Sequence, residues 1–472
     1  MNLPAYGANI RNNPTAKLRQ SPYLCTPKTT IWHTMSTANT SSVFIEELRW
    51  RGMLHDMMPG TDTQLAQQST AGYIGFDPTA ASLHIGNLAT IMLLVHFQRA
   101  GHKPFALIGG ATGMIGDPSF KAAERSFLSE ETLRHNQEGI RRQLASFLDF
   151  DCGENSAEMV NNYDWFKEIG FLTFLRDVGK FLSVNYMMGK DSVRTRLETG
   201  ISFTEFSYQL LQGYDFYWLY KHKGVRLQMG GSDQWGNITT GTELIRRKEG
   251  DEEGYFKAFA LTTPLITKSD GTKFGKSEGG NVWLDPTMTS PYQFYQFWIN
   301  QSDDDSHRLL RVFTLYSKAE IEELELRHSQ APHLRIMQKA LAEEVTTRVH
   351  SARDYQLAVK ASEVLFGKAT LETLRGIAAD EFETIFEGVP QSEVSRSDWD
   401  NCPTVTDLLS TVTQGEIYAS KGETRRAIQQ NAVSINKVKV TGADQPLSDF
   451  DLLQDRFVLV SKGKKNHLVK IV

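Results

Sequence analysis

Tyr73-Ile74-Gly75-Phe76-Asp77-Pro78-Thr79, followed closely by His84-Ile85-Gly86-Asn87, reads as a short apolar strand, a turn and a helix start. The spacing predicts an amphipathic helix over Leu83 to Ala100, with Leu88, Ile91, Met92 and Val95 on its apolar face and Gly101 as its stop. Phe105 to Gly110 is the next strand. Strand, helix and strand in this order argue for a parallel sheet with right-handed crossovers. Val225 to Gly231 reads as a later buried strand ending in a glycine pair. Ligands of such sheets bind beyond the carboxyl ends of the strands. Asp77, Gly109, Gly110 and Gly231 fall at those ends. The helix start at His84 adds an anion site, because its first N–H groups lack partners within the helix.

A second segment far down the chain, Lys273-Phe274-Gly275-Lys276-Ser277, stands among Gly271, Gly279 and Gly280. Two lysines and a serine among glycines suit a mobile, positively charged loop that handles phosphate. The usual fate of lysines near glycines is a solvated basic loop. A histidine such as His84 is, by itself, more often a helix cap or a buried core residue. The two segments together favour function over those readings.

Composition sets wide bounds. The chain has 472 residues, 40% hydrophobic and 23% charged, with a formal net charge of -5. That length suits two to four domains and at least one large core. Its overall charge does not mark a nucleic-acid binder, although one face can still be basic. The apolar runs, such as Ile91 to Val95, are too short to span a bilayer. Cys25, Cys152 and Cys402 are far apart and form no C-x-x-C, so neither a disulfide framework nor a thiolate zinc site is expected. A reducing cytoplasmic compartment follows. Residues 1–41 hold Arg11, Lys17, Arg19 and Lys28 with no acidic residue. They resemble a transit peptide faintly, but four prolines spoil a helix there. The expectation is a disordered tail, or a start at Met35.

Ordered sequence is expected from Ser42, opening with a helix around Phe44 to Leu48. Residues 42–285 read as one α/β domain, interrupted between Ser119 and Gly213 by a helical insertion. Residues 286–365 read as helices. Residues 366–403 read as a solvated acidic linker, since 371–400 hold eight acidic and two basic side chains. Residues 404–472 are basic: from 416 onward there are ten Lys or Arg against six Asp or Glu. There Ser420-Lys421-Gly422-Glu423 fits a capping box that starts a helix carrying Arg425 and Arg426. Val433 to Val440 fits a hairpin carrying Lys437 and Lys439.

At these residues the sequence resembles bacterial-type tyrosyl-tRNA synthetases, which are class I aminoacyl-tRNA synthetases. His84-Ile85-Gly86-Asn87 is similar to the family's first signature, with Asn where His is commonest. Lys273 to Ser277 resembles the second. Between them stand Gly109-Gly110-Ala111-Thr112-Gly113, Gly116-Asp117-Pro118-Ser119, Asn161-Asn162-Tyr163-Asp164-Trp165 and Gly230-Gly231-Ser232-Asp233-Gln234-Trp235-Gly236-Asn237. The last segment resembles the family's S4-like RNA-binding module. The resemblance covers the chain from about Phe44 to Val472 and implies a Rossmann-like catalytic domain, a helical anticodon-side domain and that module.

The implied reaction has two steps: tyrosine and ATP give tyrosyl-adenylate and pyrophosphate, then tyrosine passes to tRNA. The first step needs alignment of two anions and stabilisation of the departing pyrophosphate. Thr79, His84, Asn87, Lys273, Lys276 and Ser277 are the implied catalytic set. His84 and Asn87, at i and i+3, share a helix face, and Asn87 keeps a donor without a titratable group. Tyr73 and Asp215 are implied to face the substrate phenol, where a core residue and a polar surface position are the plain alternatives. Asp117, Tyr208 and Gln212 are implied at the α-ammonium and Gln234 at the carboxylate. Gly75, Asp77, Gly231 and Asp233 join His84, Asn87 and Lys276 as the implied ATP set. Lys121 and Arg125 are weaker phosphate or tRNA candidates, because Phe120 departs from the family pattern. Arg425, Arg426, Lys437 and Lys439 are the RNA candidates. ATP is expected with Mg2+, with no metal held by the protein and no prosthetic group. The implied partners are tyrosine, tRNA(Tyr) and a second subunit, with no membrane. A tryptophan-specific enzyme, a simple nucleotidyltransferase and a non-catalytic synthetase derivative are the rival readings.

Overall fold

The computed structural model describes residues 42–117, 119, 128–190, 193–194, 200–250, 257–269, 271, 274–277, 280–366, 370–386, 389–463 and 465–472. Lys121, Arg125 and Lys273 lie outside them.

The described residues open with the helix Val43–Arg51, capped where the Ser42 hydroxyl accepts the Phe44 N–H and ended by Gly52 at φ 70. The main sheet comprises β1 (Asp56–Met57), β2 (Ala71–Phe76), β3 (Lys103–Ile108), β4 (Glu158–Asn161), β5 (Val225–Gly231) and β6 (Phe259–Thr263). Its order is β1-β6-β5-β2-β3-β4. All neighbours are parallel except β1 against β6. The chain moves outward from β2 to β4 and then returns to the other side of β2 as β5. The topological switch therefore lies between β2 and β5, where a doubly wound sheet opens a crevice.

The helix expected over Leu83 to Ala100 spans Ile85–Arg99, but it is not amphipathic. Leu93, Leu94, His96, Phe97 and Gln98 are buried along with the predicted face. The sheet covers one side and the helix Asp303–Phe313 the other, so polar His96 and Gln98 are enclosed too. The expected insertion is largely helical, with Glu130–Phe147 and Phe171–Asp177, but it also contains β4, the parallel edge strand.

Residues beyond 285 form the helices Pro291–Ile299, Asp303–Phe313, Lys318–Gln330, Ile336–Val349 and Ala352–Phe366. They share one continuous core with the sheet region, from Phe44 and Ile91 through Phe274 to Trp298, Phe313 and Leu341.

The acidic stretch is not a linker. It folds as Leu371–Arg375, Ala379–Phe386, strand β9 (Gln391–Val394) and Arg396–Asp400. With β10 (Val433–Ile435), β11 (Val438–Lys439), β12 (Phe457–Lys462) and β13 (Lys465–Ile471), β9 completes a sheet of order β11-β10-β12-β13-β9. Phe382, Ile385 and Phe386 cover Phe457, Leu459 and Leu468 on one face. Val405, Leu409, Ile428 and Val433 fill the other with Val458, Val460 and Val469. The charge count concealed apolar residues at helical spacing. The predicted hairpin is present, turning at Asn436 and Lys437 with φ 49 and 66. Two positive φ values in a two-residue turn match the twist of the flanking strands.

Candidate active site

At the switch point the strand ends present a chain of hydrogen bonds. Asp77 follows β2, and its two carboxylate oxygens accept from the Thr112 hydroxyl at 2.7 Å and the Tyr208 hydroxyl at 2.8 Å. A Cβ at Gly109 would stand 2.0 Å from Asp77 Oδ1, so only glycine after β3 admits this carboxylate. Asn162 is fully buried and donates to Thr112 Oγ1 and Asp215 Oδ2, both at 3.0 Å. The Trp165 indole donates to Asp215 Oδ1 at 2.9 Å. Asn162 is itself fixed, since its Oδ1 accepts the Ala111 N–H at 2.7 Å.

Tyr73 and Asp215 come together at this buried end. Burial pushes the Asp215 carboxyl up to about 8, helped by Asp77 and opposed by the Asn162 and Trp165 donors. Burial and then the Asp215 charge push the Tyr73 phenol well above its ordinary value. Its ring stands edge-on to Phe216 at 5.5 Å. Its hydroxyl is buried without a partner, as are Gln212 Oε1 and Gln228 Oε1. Gln228 is the register partner of Tyr73 across β2 and β5. Buried polar atoms are nearly always paired, so the orphaned Tyr73 hydroxyl beside Asp215 points to a polar ligand.

Further along, Gln234 donates to Asp117 Oδ2 at 2.8 Å and Asp233 Oδ2 at 3.3 Å. Asp117 also accepts the Ser119 N–H at 3.0 Å. Asp117, Asp233 and Gln234 thus form a second polar cluster beside Gly231 at the end of β5. Tyr208 spends its hydroxyl on Asp77, on the helix Phe203–Lys223 that also carries Gln212 and Asp215.

The two signature segments meet. Asn87 accepts the His84 N–H at 3.1 Å through Oδ1, leaving its amide NH2 to donate. Thr79 donates its N–H to the Asp77 carbonyl at 2.9 Å, and its side chain is exposed beyond the Gly75 strand end. Lys276 and Ser277 form β7, paired with β8 (Gly280–Asn281). Gly275, at φ 84, would place a Cβ 3.3 Å from the Gly86 nitrogen. The lysine loop is therefore packed directly on the start of the first helix.

The RNA candidates separate. Arg425 and Arg426 are exposed on the helix Lys421–Gln429, which Ser420 caps through the Glu423 N–H at 3.2 Å. Lys439 is exposed and donates to the Asn431 carbonyl at 2.6 Å. Lys437 is half-buried and donates to the Leu365 carbonyl at 2.6 Å, tying the hairpin to the end of the helix Ala352–Phe366. A cleft of about 960 Å3 along β4 meets these site residues only at Trp165 and its neighbour Asn161. It holds no part of the two phosphate signatures.

Sequence reasoning assigned no role to Asn162, Trp165, Thr112 or Gln228. The first two stand in the Asn161-to-Trp165 block that carried the resemblance, which was the available signal. Gln228 gave none, since one glutamine in an apolar strand reads as an edge residue.

A doubly wound sheet with a helix-start histidine and a lysine–glycine loop clamped beside it defines a class I aminoacyl-tRNA synthetase domain. The family described as tRNA synthetases class I (W and Y) matches residues 65–367, and a tyrosine–tRNA ligase C-terminal domain family matches 381–469. A tyrosine–tRNA ligase of Cytophaga hutchinsonii is 63% identical over 90% of this chain and 98% of its own length. One of Amoebophilus asiaticus is 61% identical over 91% and 99%. A solved C-terminally truncated Aspergillus nidulans mitochondrial tyrosyl-tRNA synthetase superposes with a TM-score of 0.62 at 30% identity, covering 70% of this chain and 95% of that one. The chain belongs to the tyrosine–tRNA ligase family.

Proposed function

We propose that the switch-point crevice activates tyrosine with ATP, and that the residues above divide the two steps of tyrosine–tRNA ligation between them. Tyrosine–tRNA ligation is the activity of the family to which the chain belongs. In the first step the tyrosine carboxylate attacks the α-phosphorus of ATP, a P–O bond to pyrophosphate breaks, and tyrosyl-adenylate forms. In the second, a terminal ribose hydroxyl of tRNA attacks the activated carbonyl and AMP departs.

The observation that carries the reading is the orphaned Tyr73 hydroxyl beside Asp215. A phenol entering there gives both groups a partner. Asn162 and Trp165 act through Asp215, holding its oxygens so that one orientation accepts the phenol. Asp117, Tyr208, Gln212 and Gln234 take the ammonium and carboxylate, and Asp77 stands on the adenylate side. Thr79, His84, Asn87, Lys276 and Lys273 donate to phosphate, and Gly231 with Asp233 takes the ribose. Asp77, Asp117 and Asp215 already accept protein hydrogen bonds. That suits a magnesium ion carried on the ATP phosphates with few protein ligands. Tyrosine-dependent exchange of labelled pyrophosphate into ATP tests the reading. Exchange with tryptophan and none with tyrosine overturns it.

The domain assignment goes with it: 42–285 for catalysis, 286–365 on the anticodon side, and an S4-like module at the C-terminus that begins before 404 because β9 belongs to its sheet. Arg425 and Arg426 supply phosphate contacts there. Changing both to alanine is expected to lower the salt slope of tRNA binding by about two, with pyrophosphate exchange unchanged. An equal slope in the variant removes them from the interface.

Placement in the cytoplasm fits the family and the two described free cysteines, Cys152 and Cys402. Among the described residues no helix is long and apolar enough to cross a membrane. A homodimer is supported by Phe171, Leu172, Val184 and Phe203, each more than half exposed around one small core of Phe174, Leu182 and Leu210. Exposed apolar residues gathered in this way mark an interaction surface. Phe203→Glu is expected to shift the protein from dimer to monomer in sedimentation equilibrium. An unchanged dimer places the interface elsewhere.

A further inference from the structure

Trp283 lies outside both signatures, yet its ring contacts that of His84. The segments around the two residues form an isolated antiparallel bridge. It is flanked by hydrogen bonds from Ile85 N to Val282 O at 3.0 Å and from Leu284 N to Leu83 O at 2.9 Å. The Trp283 and His84 rings meet edge to face, with centroids 5.9 Å apart and planes at 60°. The imidazole also lies close to Gly86, where a Cβ would stand 2.7 Å from Cε1 and 2.9 Å from Nδ1. The ring is thus restricted by contact with both the tryptophan ring and the bare glycine backbone.

The tryptophan is itself braced. Its backbone N–H donates to the buried Thr289 hydroxyl at 3.0 Å. Two residues on, the Asp285 N–H donates to Ser82 Oγ at 3.1 Å, and Ser82 in turn accepts from Gln143 at 2.9 Å. One residue before, Val282 donates to the Gly275 carbonyl of the lysine loop at 3.0 Å. Trp283 therefore sits on the strip of backbone that joins the lysine loop to the first helix.

We propose that Trp283 is a positioning residue for adenylate formation, holding the His84 imidazole in the orientation that meets the ATP phosphates. The proposal rests on the assignment of His84 to phosphate given above. Its action passes through His84 and touches no substrate. A confined imidazole costs no reorganisation when charge develops on the phosphates, whereas a free one must be oriented at that moment.

The test is a double-mutant cycle on tyrosine-dependent pyrophosphate exchange. An aromatic pair of this geometry carries about two- to tenfold in rate. Trp283→Ala is therefore expected to lower kcat by that factor with the tyrosine KM unchanged, and Trp283→Phe is expected to restore most of it. The decisive comparison is His84→Ala with and without Trp283→Ala, because residues that act as a unit are not additive. If Trp283 works through His84, the double variant is no slower than His84→Ala alone. Additive losses, or a drop in tyrosine affinity with failed rescue by phenylalanine, overturn the proposal. Full activity in His84→Ala overturns the underlying assignment of His84 instead.

Discussion

Asp215→Ala is expected to abolish the preference for tyrosine over phenylalanine. In the folded protein both carboxylate oxygens of Asp215 already hold buried donors, Asn162 Nδ2 and the Trp165 indole. In the proposed reading the substrate phenol is the third donor to the same group. Phenylalanine offers none, so it leaves Asp215 and the Tyr73 hydroxyl buried and incompletely paired, at a cost of about 3 kcal/mol or about 100-fold. Removing the carboxylate removes that penalty for phenylalanine and the acceptor for tyrosine together. The ratio of kcat/KM values for the two amino acids in pyrophosphate exchange should fall by at least that factor. An unchanged ratio would place selectivity elsewhere in the crevice. The same carboxyl carries a pH signature. Its folded value is about 8 against an ordinary 3.8, because burial disfavours the charge. Between those values the folded protein retains a proton that the unfolded chain has released. This group's contribution to stability therefore declines as pH rises from about 4 to about 8 and is level above that range. Asp215→Asn cannot ionise and should flatten that part of the profile, read as the urea midpoint of the ligand-free protein from pH 5 to 8.5.

What the sequence reveals follows from how local each signal is. β2 and β3 were legible because Tyr73 to Phe76 and Phe105 to Ile108 are apolar stretches followed by aspartate or glycine, and β5 because Val225, Leu227 and Met229 alternate ahead of a glycine pair. β4 was not, since Glu158-Met159-Val160-Asn161 is short and half polar, as an edge strand can be. The acidic stretch hid its fold for a related reason. Its carboxylates dominate composition, while Phe382, Ile385 and Phe386 carry the energetics by covering β12 and β13. At the site, residue types with family positions could be named, but their partners could not. Tyr208 shows the difference: its place one turn from Gln212 on a helix face is readable from spacing, whereas its bond to Asp77 spans 131 residues. Lys437 shows it again, because a lysine in a basic hairpin reads as an RNA contact until the Leu365 carbonyl is found beneath it.

Lys276→Ala is expected to slow adenylate formation by about 100- to 1,000-fold while tyrosine binds as before, the loss typical of one preorganised group at a developing charge. The reason lies in how its loop is mounted. Phe274, immediately before Gly275, is buried in the helical core, stacked on Phe313 at 5.7 Å and edge-on to Phe297 at 5.3 Å. Gly275 then turns at φ 84 against the Gly86 nitrogen, a conformation that disfavours any other residue. Its carbonyl accepts from Val282, so the chain is fixed on both sides of the turn. Lys276 leaves that clamp at the first residue of β7, beside the helix start assigned to the phosphates in the proposed reading. The clamp sets where the backbone of the lysine begins. Negative charge builds on the pyrophosphate only as the P–O bond breaks. A cation there therefore binds the transition state more strongly than either substrate, which changes kcat and not affinity. Lys276→Arg should recover part of the rate, since it restores charge but not the compact ammonium. Equilibrium dialysis with labelled tyrosine supplies the control. A parallel fall in tyrosine affinity would mean that the loop shapes the amino-acid pocket, and the leaving-group role would then be lost.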